Sequence, residues 1–158
     1  MWNRETGCPT HCFSLVVCRH PITKKWLAVE ELHDRGYWLP GGFVENGDDH
    51  ESAAIRETIE EAGIEVTLKG ILRIENTMTR KGACQRVIYY AEPKKADQQP
   101  KNFADNESLG AVWLTIEELK GKRLRGRELL DWAGYIEGGG TIHPLDVFTK
   151  EGAMIPSP

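Results

Sequence analysis

Three glutamates, Glu57, Glu60 and Glu61, stand beside Arg56 and follow the double glycine Gly41-Gly42. On a helix they fall at i, i+3 and i+4, on one side and next to one another. Carboxylates this close repel unless something positive sits among them, and hard divalent cations such as Mg²⁺ take oxygen ligands of this kind. The pattern points to a divalent-metal site on a helix face. Gly41 or Gly42 lets a backbone carbonyl or a phosphate approach where a Cβ would intrude, and Arg56 can orient one acid through a charge-assisted hydrogen bond. The plain alternative is a solvated acidic helix after an ordinary turn. Loop, cap, arginine and acids together favour the metal site.

The spacing of the acids has meaning only if a helix carries them. Asp48 is an N-cap candidate with Glu51 three residues on, a capping-box pattern, and Gly63 stands where helices stop on a left-handed residue. Ile55, Ile59 and Ala62 recur at helical spacing and are expected to form the buried stripe.

From Gly42 to Ile64 the sequence resembles the box of the Nudix hydrolase family, G-x5-E-x7-R-E-U-x-E-E-x-G-U with U bulky and apolar. Gly42, Arg56, Glu57, Glu60, Glu61, Gly63 and Ile64 stand at the family's spacing, whereas Asp48 replaces its first Glu and Thr58 occupies an apolar position. Asp48 keeps the charge but draws its carboxylate back by about one methylene, roughly 1.5 Å. Looser likeness runs from Phe13 to Leu119. The resemblance implies a fold of the α+β or α/β class, an α-β-α sandwich with a mixed β-sheet and a loop-helix-loop box. It also implies metal-dependent hydrolysis of a nucleoside diphosphate linked to another moiety, with Mg²⁺, or Mn²⁺ as the alternative, held by Gly41, Glu57, Glu60, Glu61 and Glu107. A helix glutamate or Glu107 would take the proton of the attacking water. Two other readings stay open: a Nudix-fold module that binds nucleotides without turnover, and an RNA-directed cap pyrophosphohydrolase.

Around the box, His11 to Arg19 reads as a buried strand, Trp26 to Glu30 as its hairpin partner, and Tyr37 to Pro40 as the approach to the glycines. Glu65 to Thr79 and Arg86 to Ala91 read as strands joined by a turn at Arg80-Lys81-Gly82. Glu92 to Asn106 is expected to be a long exposed loop. Glu107 to Leu114 resumes a strand before a short helix capped by Thr115. Lys120 to Arg127 is the strongest basic run, either a contact for phosphates or RNA or the wet face of an amphipathic helix whose apolar side is Leu124, Leu129, Leu130, Trp132 and Ile136, ended by Gly138-Gly139-Gly140. Candidate substrate contacts are Gly42, Arg80, Arg86, and the aromatics Trp38 and Phe103. Trp38 is either core or a stacking surface for a base, and the basic turn at Arg80 is either a phosphate contact or merely solvated. Family signatures for ADP-ribose, dinucleoside polyphosphates, coenzyme A and NADH are missing, which leaves a nucleoside triphosphate or an oxidised nucleotide as the expected substrate.

At 158 residues the chain has the size of one domain, residues 1–158, with a tail from about 141 that packs on it or in a homodimer contact. A net charge of −4 gives no sign of a general nucleic-acid or membrane binder. No apolar run reaches spanning length and no signal-peptide core opens the sequence, so a cytoplasmic location is expected. Cys8 and Cys12 lack a second Cys/His pair to complete a zinc site, and Cys12 and Cys18 read as small apolar strand residues.

Overall fold

The structure, a computed structural model, describes residues 7–158. Its elements are β1 (Thr10–Cys18), β2 (Trp26–Glu31), β3 (Gly36–Trp38), β4 (Gly41–Phe43), α1 (His50–Ala62), β5 (Val66–Thr79), β6 (Gly82–Pro93), β7 (Gly110–Leu114), α2 (Ile116–Lys120) and α3 (Glu128–Glu137). Leu15, Val16, Val17 and Cys18 of β1 are all buried, the pattern of a strand covered on both faces. Val16 and Cys18 join Ala54 and Ala62 of α1 in one apolar cluster. Leu15 and Val17 join Leu119 of α2 and Leu129 and Trp132 of α3 in the other. Helices therefore cover both faces of a mixed sheet, the expected α-β-α sandwich.

That sheet has the order β4-β1-β6-β5. β1 and β6 run parallel, from Thr10 beside Ala83 to Cys18 beside Ala91, and the other pairs are antiparallel. A second, three-stranded antiparallel sheet has the order β3-β2-β7. β5 and β6 are joined at Arg80-Lys81 and run on to Pro93, longer than the residues around Val87 to Tyr90 predict.

The sequence places five features differently from the structure. Trp26–Glu31 is not the hairpin partner of β1, since the two strands lie in separate sheets and are linked only by the bridge between Arg19 and Trp26. β7 begins at Gly110, which leaves Glu107 in a loop rather than a strand. The other three concern the helices. The α1 cap is Asp49, not Asp48: its carboxylate accepts from the Ser52 amide at 2.8 Å, and the Ser52 hydroxyl accepts from the Asp49 amide at 2.9 Å. The buried face of α1 is also rotated, burying Ala53, Ala54, Glu57, Thr58 and Ala62 and leaving Ile59 42% exposed. Small residues on that face bring the helix close to the sheet, and the rotation turns Glu57 inward. Thr58 tolerates burial because its hydroxyl donates to the Ala54 carbonyl at 2.8 Å. Lastly, α2 is the expected short helix capped by Thr115, but the amphipathic helix expected after it forms only as α3, from Glu128. Between them the backbone pairs with β3 instead, Tyr37 N–H with Arg123 O at 2.9 Å and Arg125 N–H with Tyr37 O at 3.0 Å.

The loop after β6 is exposed over most of its length, as expected, but is pinned by the buried Lys101 and, just beyond it, the buried Ser108. In the tail, Ile71 and His143 exchange two backbone hydrogen bonds of 2.8 Å, and Leu145 and Phe148 pack against the α1 cluster.

Candidate active site

β4 brings its glycines directly under α1. A Cβ on Gly42 would lie 2.4 to 2.7 Å from the carboxylate atoms of Glu57, so this approach exists only because residue 42 is glycine. The Gly41 amide donates to Glu61 Oε2 at 3.2 Å. Strand register thereby fixes two of the three helix acids.

Arg56 ties loop to helix. Its Nε donates to Asp48 at 2.9 Å, Nη1 to Glu57 at 3.0 Å and Glu60 at 3.2 Å, and Nη2 to the Phe43 carbonyl at 2.9 Å. The shortened acid at position 48 still reaches the arginine. Burial alone would lower the guanidinium's pKa, but hydrogen bonds to Asp48 and Glu57 and the charge of Glu60 raise it, which keeps this cation in place.

Glu107 is held by the loop before β7. Asp105 Oδ1 accepts from the Glu107 amide at 2.8 Å and the Ser108 amide at 3.1 Å. Both Asp105 oxygens accept from Lys101 Nζ at 2.8 Å, and the same ammonium donates to the Glu60 carbonyl at 2.9 Å. The Ser108 hydroxyl donates to the Glu61 carbonyl at 2.6 Å. The end of α1 and the Glu107 loop are thus fastened together through Lys101 and Ser108. Hydrogen bonds from Lys101 and from the backbone hold Asp105 down at about 2.

The assembled face is short of positive charge. Burial raises Glu57 above the ordinary carboxylate range, Arg56 opposes this, and Glu60 and Glu107 add to it. Glu61 is pushed up to about 8, chiefly by burial, which its bond from Gly41 opposes and the charges of Glu57, Glu31 and Glu107 reinforce. A divalent cation fits this donor set, because it supplies the charge that buried, mutually repelling carboxylates lack. Among the described residues no three Asp, Glu, His or Cys side chains are grouped to hold an ion as they stand. Arg56 engages Glu57 and Glu60 in this arrangement.

The structure brings Gly41, Gly42, Arg56, Glu57, Glu60, Glu61 and Glu107 to one face. The candidate substrate contacts divide. Trp38 is no stacking surface: it is 9% exposed, sits in the core, and Arg125 lies 4.2 Å from its ring centroid. Arg80 lies in the β5–β6 turn, about 16 Å along the strand from Glu75 at the usual rise per residue, away from the acids. Arg86 lies in the row Glu75, Arg86, Phe13, Phe43 across the sheet, which ends next to Gly42. Its charge is shared with Glu75 and Glu128. It helps wall a cavity of about 730 Å³ with Arg73, Trp132 and Tyr135. Phe103 is 60% exposed and lines a separate hollow with Ile59, Glu60 and Lys101.

Sequence reading missed Lys101, Asp105, Ser108 and Glu31. Asp105 and Ser108 carry a legible signal, since an Asp accepting from amides two and three residues on is a common turn. Lys101 and Glu31 carry none, because their partners come from distant elements. The arginines of the basic run are each paired, Arg123 with Asp34 at 2.6 Å, Arg125 with Glu31 at 2.6 Å and Arg127 with Asp131 at 3.2 Å, while Lys122 lies over the Tyr37 ring.

A NUDIX domain family model matches residues 10–133 of the chain. Bacillus subtilis (strain 168) YtkD, which bears the provisional name 8-oxo-dGTP diphosphatase, is 36% identical over 104 residues, 66% of this chain and 61% of its own length. The Xenopus laevis nucleoside diphosphate-linked moiety X motif 6 is 32% identical over 82 residues, 51% of this chain and 38% of its own. The chain thus spans less than two thirds of these relatives. A NUDIX hydrolase from Nitrosomonas europaea superposes with a TM-score of 0.71 at 22% identity, covering 92% of this chain and all of that one, which shows a shared fold.

Proposed function

The chain belongs to the Nudix family, and from that membership we propose that it hydrolyses the phosphoanhydride of a nucleoside diphosphate linked to a further group, with a nucleoside triphosphate or an oxidised nucleotide as its substrate. The observation that carries this reading is the charge-deficient face of Glu57, Glu60, Glu61 and Glu107, with Glu57 buried against a glycine strand. Homologues in the family act on small nucleotides, and its hydrolases use divalent metal ions. The provisional name of the Bacillus relative supports an oxidised purine triphosphate.

Glu57, Glu60 and Glu61 would hold the ion, Mg²⁺ or Mn²⁺, with the Gly41 carbonyl and Glu107 completing its shell. A divalent cation there neutralises a diphosphate and lowers the pKa of an attacking water. A helix glutamate, or Glu107 on the loop fastened to α1, would accept that water's proton. Arg56 keeps the acids in register with the loop. The cavity beside Arg86, at the other end of the cross-strand row from Gly42, has room for a nucleoside, with Trp132 and Tyr135 as its aromatic wall. No helix among the described residues is long and apolar enough to cross a membrane. The thiols of Cys8, Cys12, Cys18 and Cys84 are all free, which suits a cytoplasmic location.

The test is a panel of nucleoside triphosphates, oxidised nucleotides, nucleotide sugars, ADP-ribose and dinucleoside polyphosphates, with Mg²⁺ or chelator. Metal-dependent release of a nucleoside monophosphate is expected, and Glu60→Gln and Glu61→Gln should each lower it by orders of magnitude while the fold persists. Tight nucleotide binding without turnover would instead establish a binding module, and wild-type rates in both variants would remove the metal-site assignment.

A further inference from the structure

A second cavity, of about 490 Å³, opens at the start of α1 between that helix, β6 and the tail. Its walls include Val44, Asp49, Glu51, Tyr89, Phe148 and Lys150, none of which takes part in the proposed hydrolysis. Tyr89 is 1% exposed, yet its hydroxyl has no hydrogen-bond partner among the described residues. Buried polar groups are nearly always paired, so an orphan that lines a cavity marks a place where something else supplies the partner. His50, which also lines the cavity, makes no hydrogen bond to the Tyr89 hydroxyl; its carbonyl accepts from the Ser14 hydroxyl at 2.7 Å and its Nδ1 lies 3.1 Å from the same oxygen.

The surroundings define what is missing. Burial and the charge of Asp49 raise the Glu51 carboxyl, and no cation opposes them. Burial, then Glu51 and Asp49, push the Tyr89 phenol up, which keeps it protonated and places it in the field of both acids. Three carboxylates, Asp48, Asp49 and Glu51, face a single lysine among the walls. Arg56 already holds Asp48 at 2.9 Å and Ser52 holds Asp49 at 2.8 Å, so only part of a metal ion's oxygen shell is free. The aromatic rings of Tyr89 and Phe148 suit an organic cation better.

We propose that this cavity binds a small primary alkylammonium ion, its N–H groups donated to the Tyr89 hydroxyl oxygen and the Glu51 and Asp49 carboxylates, with its alkyl part against Val44 and Phe148. The site shares only Asp48 with the Arg56 network of the phosphate-cleaving face and stands whether or not that reading holds.

The test titrates butylammonium chloride into the full chain by calorimetry, with 1-butanol as the uncharged isostere and potassium chloride at matched ionic strength. Saturable binding of butylammonium alone is expected. Tyr89→Phe and Glu51→Gln should each weaken it about tenfold or more, the effect of losing one hydrogen bond to a charged group. Both variants should keep wild-type melting and wild-type nucleotide turnover without amine, which separates a lost ligand contact from a lost fold. Equal binding of 1-butanol, no saturable binding, or an unchanged affinity in Tyr89→Phe would overturn the proposal. In that last case an ordered water serves the hydroxyl.

Discussion

Adjacent glycines in β4 should fail in opposite ways when each is given a methyl group. In Gly42→Ala the new Cβ would sit 2.4 Å from Glu57 Oε1, 2.5 Å from Cδ and 2.7 Å from Oε2. An ordinary contact needs about 3.5 Å, so the carboxylate must withdraw by roughly 1 Å. It is the far end of a flexible side chain, and the rotamer adjustment costs about 1 kcal/mol, or ~3 °C in melting temperature for a chain of this size. The same 1 Å displaces a proposed metal ligand, and misplacement on that scale can cost about 100-fold in turnover. In Gly41→Ala the Cβ instead meets the Ser14 carbonyl oxygen at 2.5 Å and Leu15 Cα at 2.9 Å, backbone atoms of β1 that cannot step aside. Overpacking there costs about 1–3 kcal/mol, and melting should drop by roughly 3–10 °C. Both variants are to be assayed for kcat with the best substrate of the panel and melted in parallel. Wild-type turnover in Gly42→Ala, or a loss of turnover matched by Gly41-like melting, would refute the assignment of Glu57 to the reactive face.

Lys101→Met removes the buried ammonium from the Glu60 carbonyl and should cost about 1–2 kcal/mol, seen as a ~3–6 °C drop in melting temperature, with turnover falling as Glu107 loses its anchor. An unchanged melting curve would mean that the loop is not fastened through this group. Asp48→Ala should cut turnover about tenfold, the effect of removing one charge-assisted bond from Arg56, while Asp48→Glu stays close to wild type in the same steady-state assay. The pH dependence of stability should show His50. Burial holds its imidazole below the ordinary value of 6.5 against the pull of Gln85, Phe13 and Asp49. The unfolded chain then binds the extra proton first as pH falls, so stability is fully present above about 6.5 and is lost below it. His50→Gln should flatten that loss between pH 7.5 and 5 in melting experiments, and an equal slope would exclude this group as its source.

Much of the site is local and therefore legible. Arg56, Glu57, Glu60 and Glu61 lie within one helix, where periodicity dictates which side chains are neighbours, and Gly63 ends it in the left-handed conformation that glycine favours, at φ 68°. What escaped depends on packing. Whether Asp48 or Asp49 caps α1 is a difference of one residue that sequence pattern does not resolve. Ile59 belongs to the apolar periodicity yet faces outward, because the sheet accepts the small Ala53 and Ala54 and draws Glu57 inward toward Gly42. Trp38 offers a polar handle and a flat ring in any sequence; only the tertiary position of Arg125 takes its free face. Lys101 illustrates the limit most clearly, since a lysine in a polar stretch reads as solvated until the end of α1 is set beside it.

The parallel pairing of β1 with β6 carries a kinetic consequence. β1 meets its β4 neighbour early, but its other edge waits for residues 83–91, and the reactive face closes only when the Glu107 loop docks still later in the chain. Such non-local contacts place the domain among slow folders, and a folding nucleus built before the loop docks is expected to lack the Lys101 and Ser108 fastenings. A ligand or cation that engages the completed face should then slow unfolding while leaving the folding rate untouched. It would prolong the life of each folded molecule without speeding its birth.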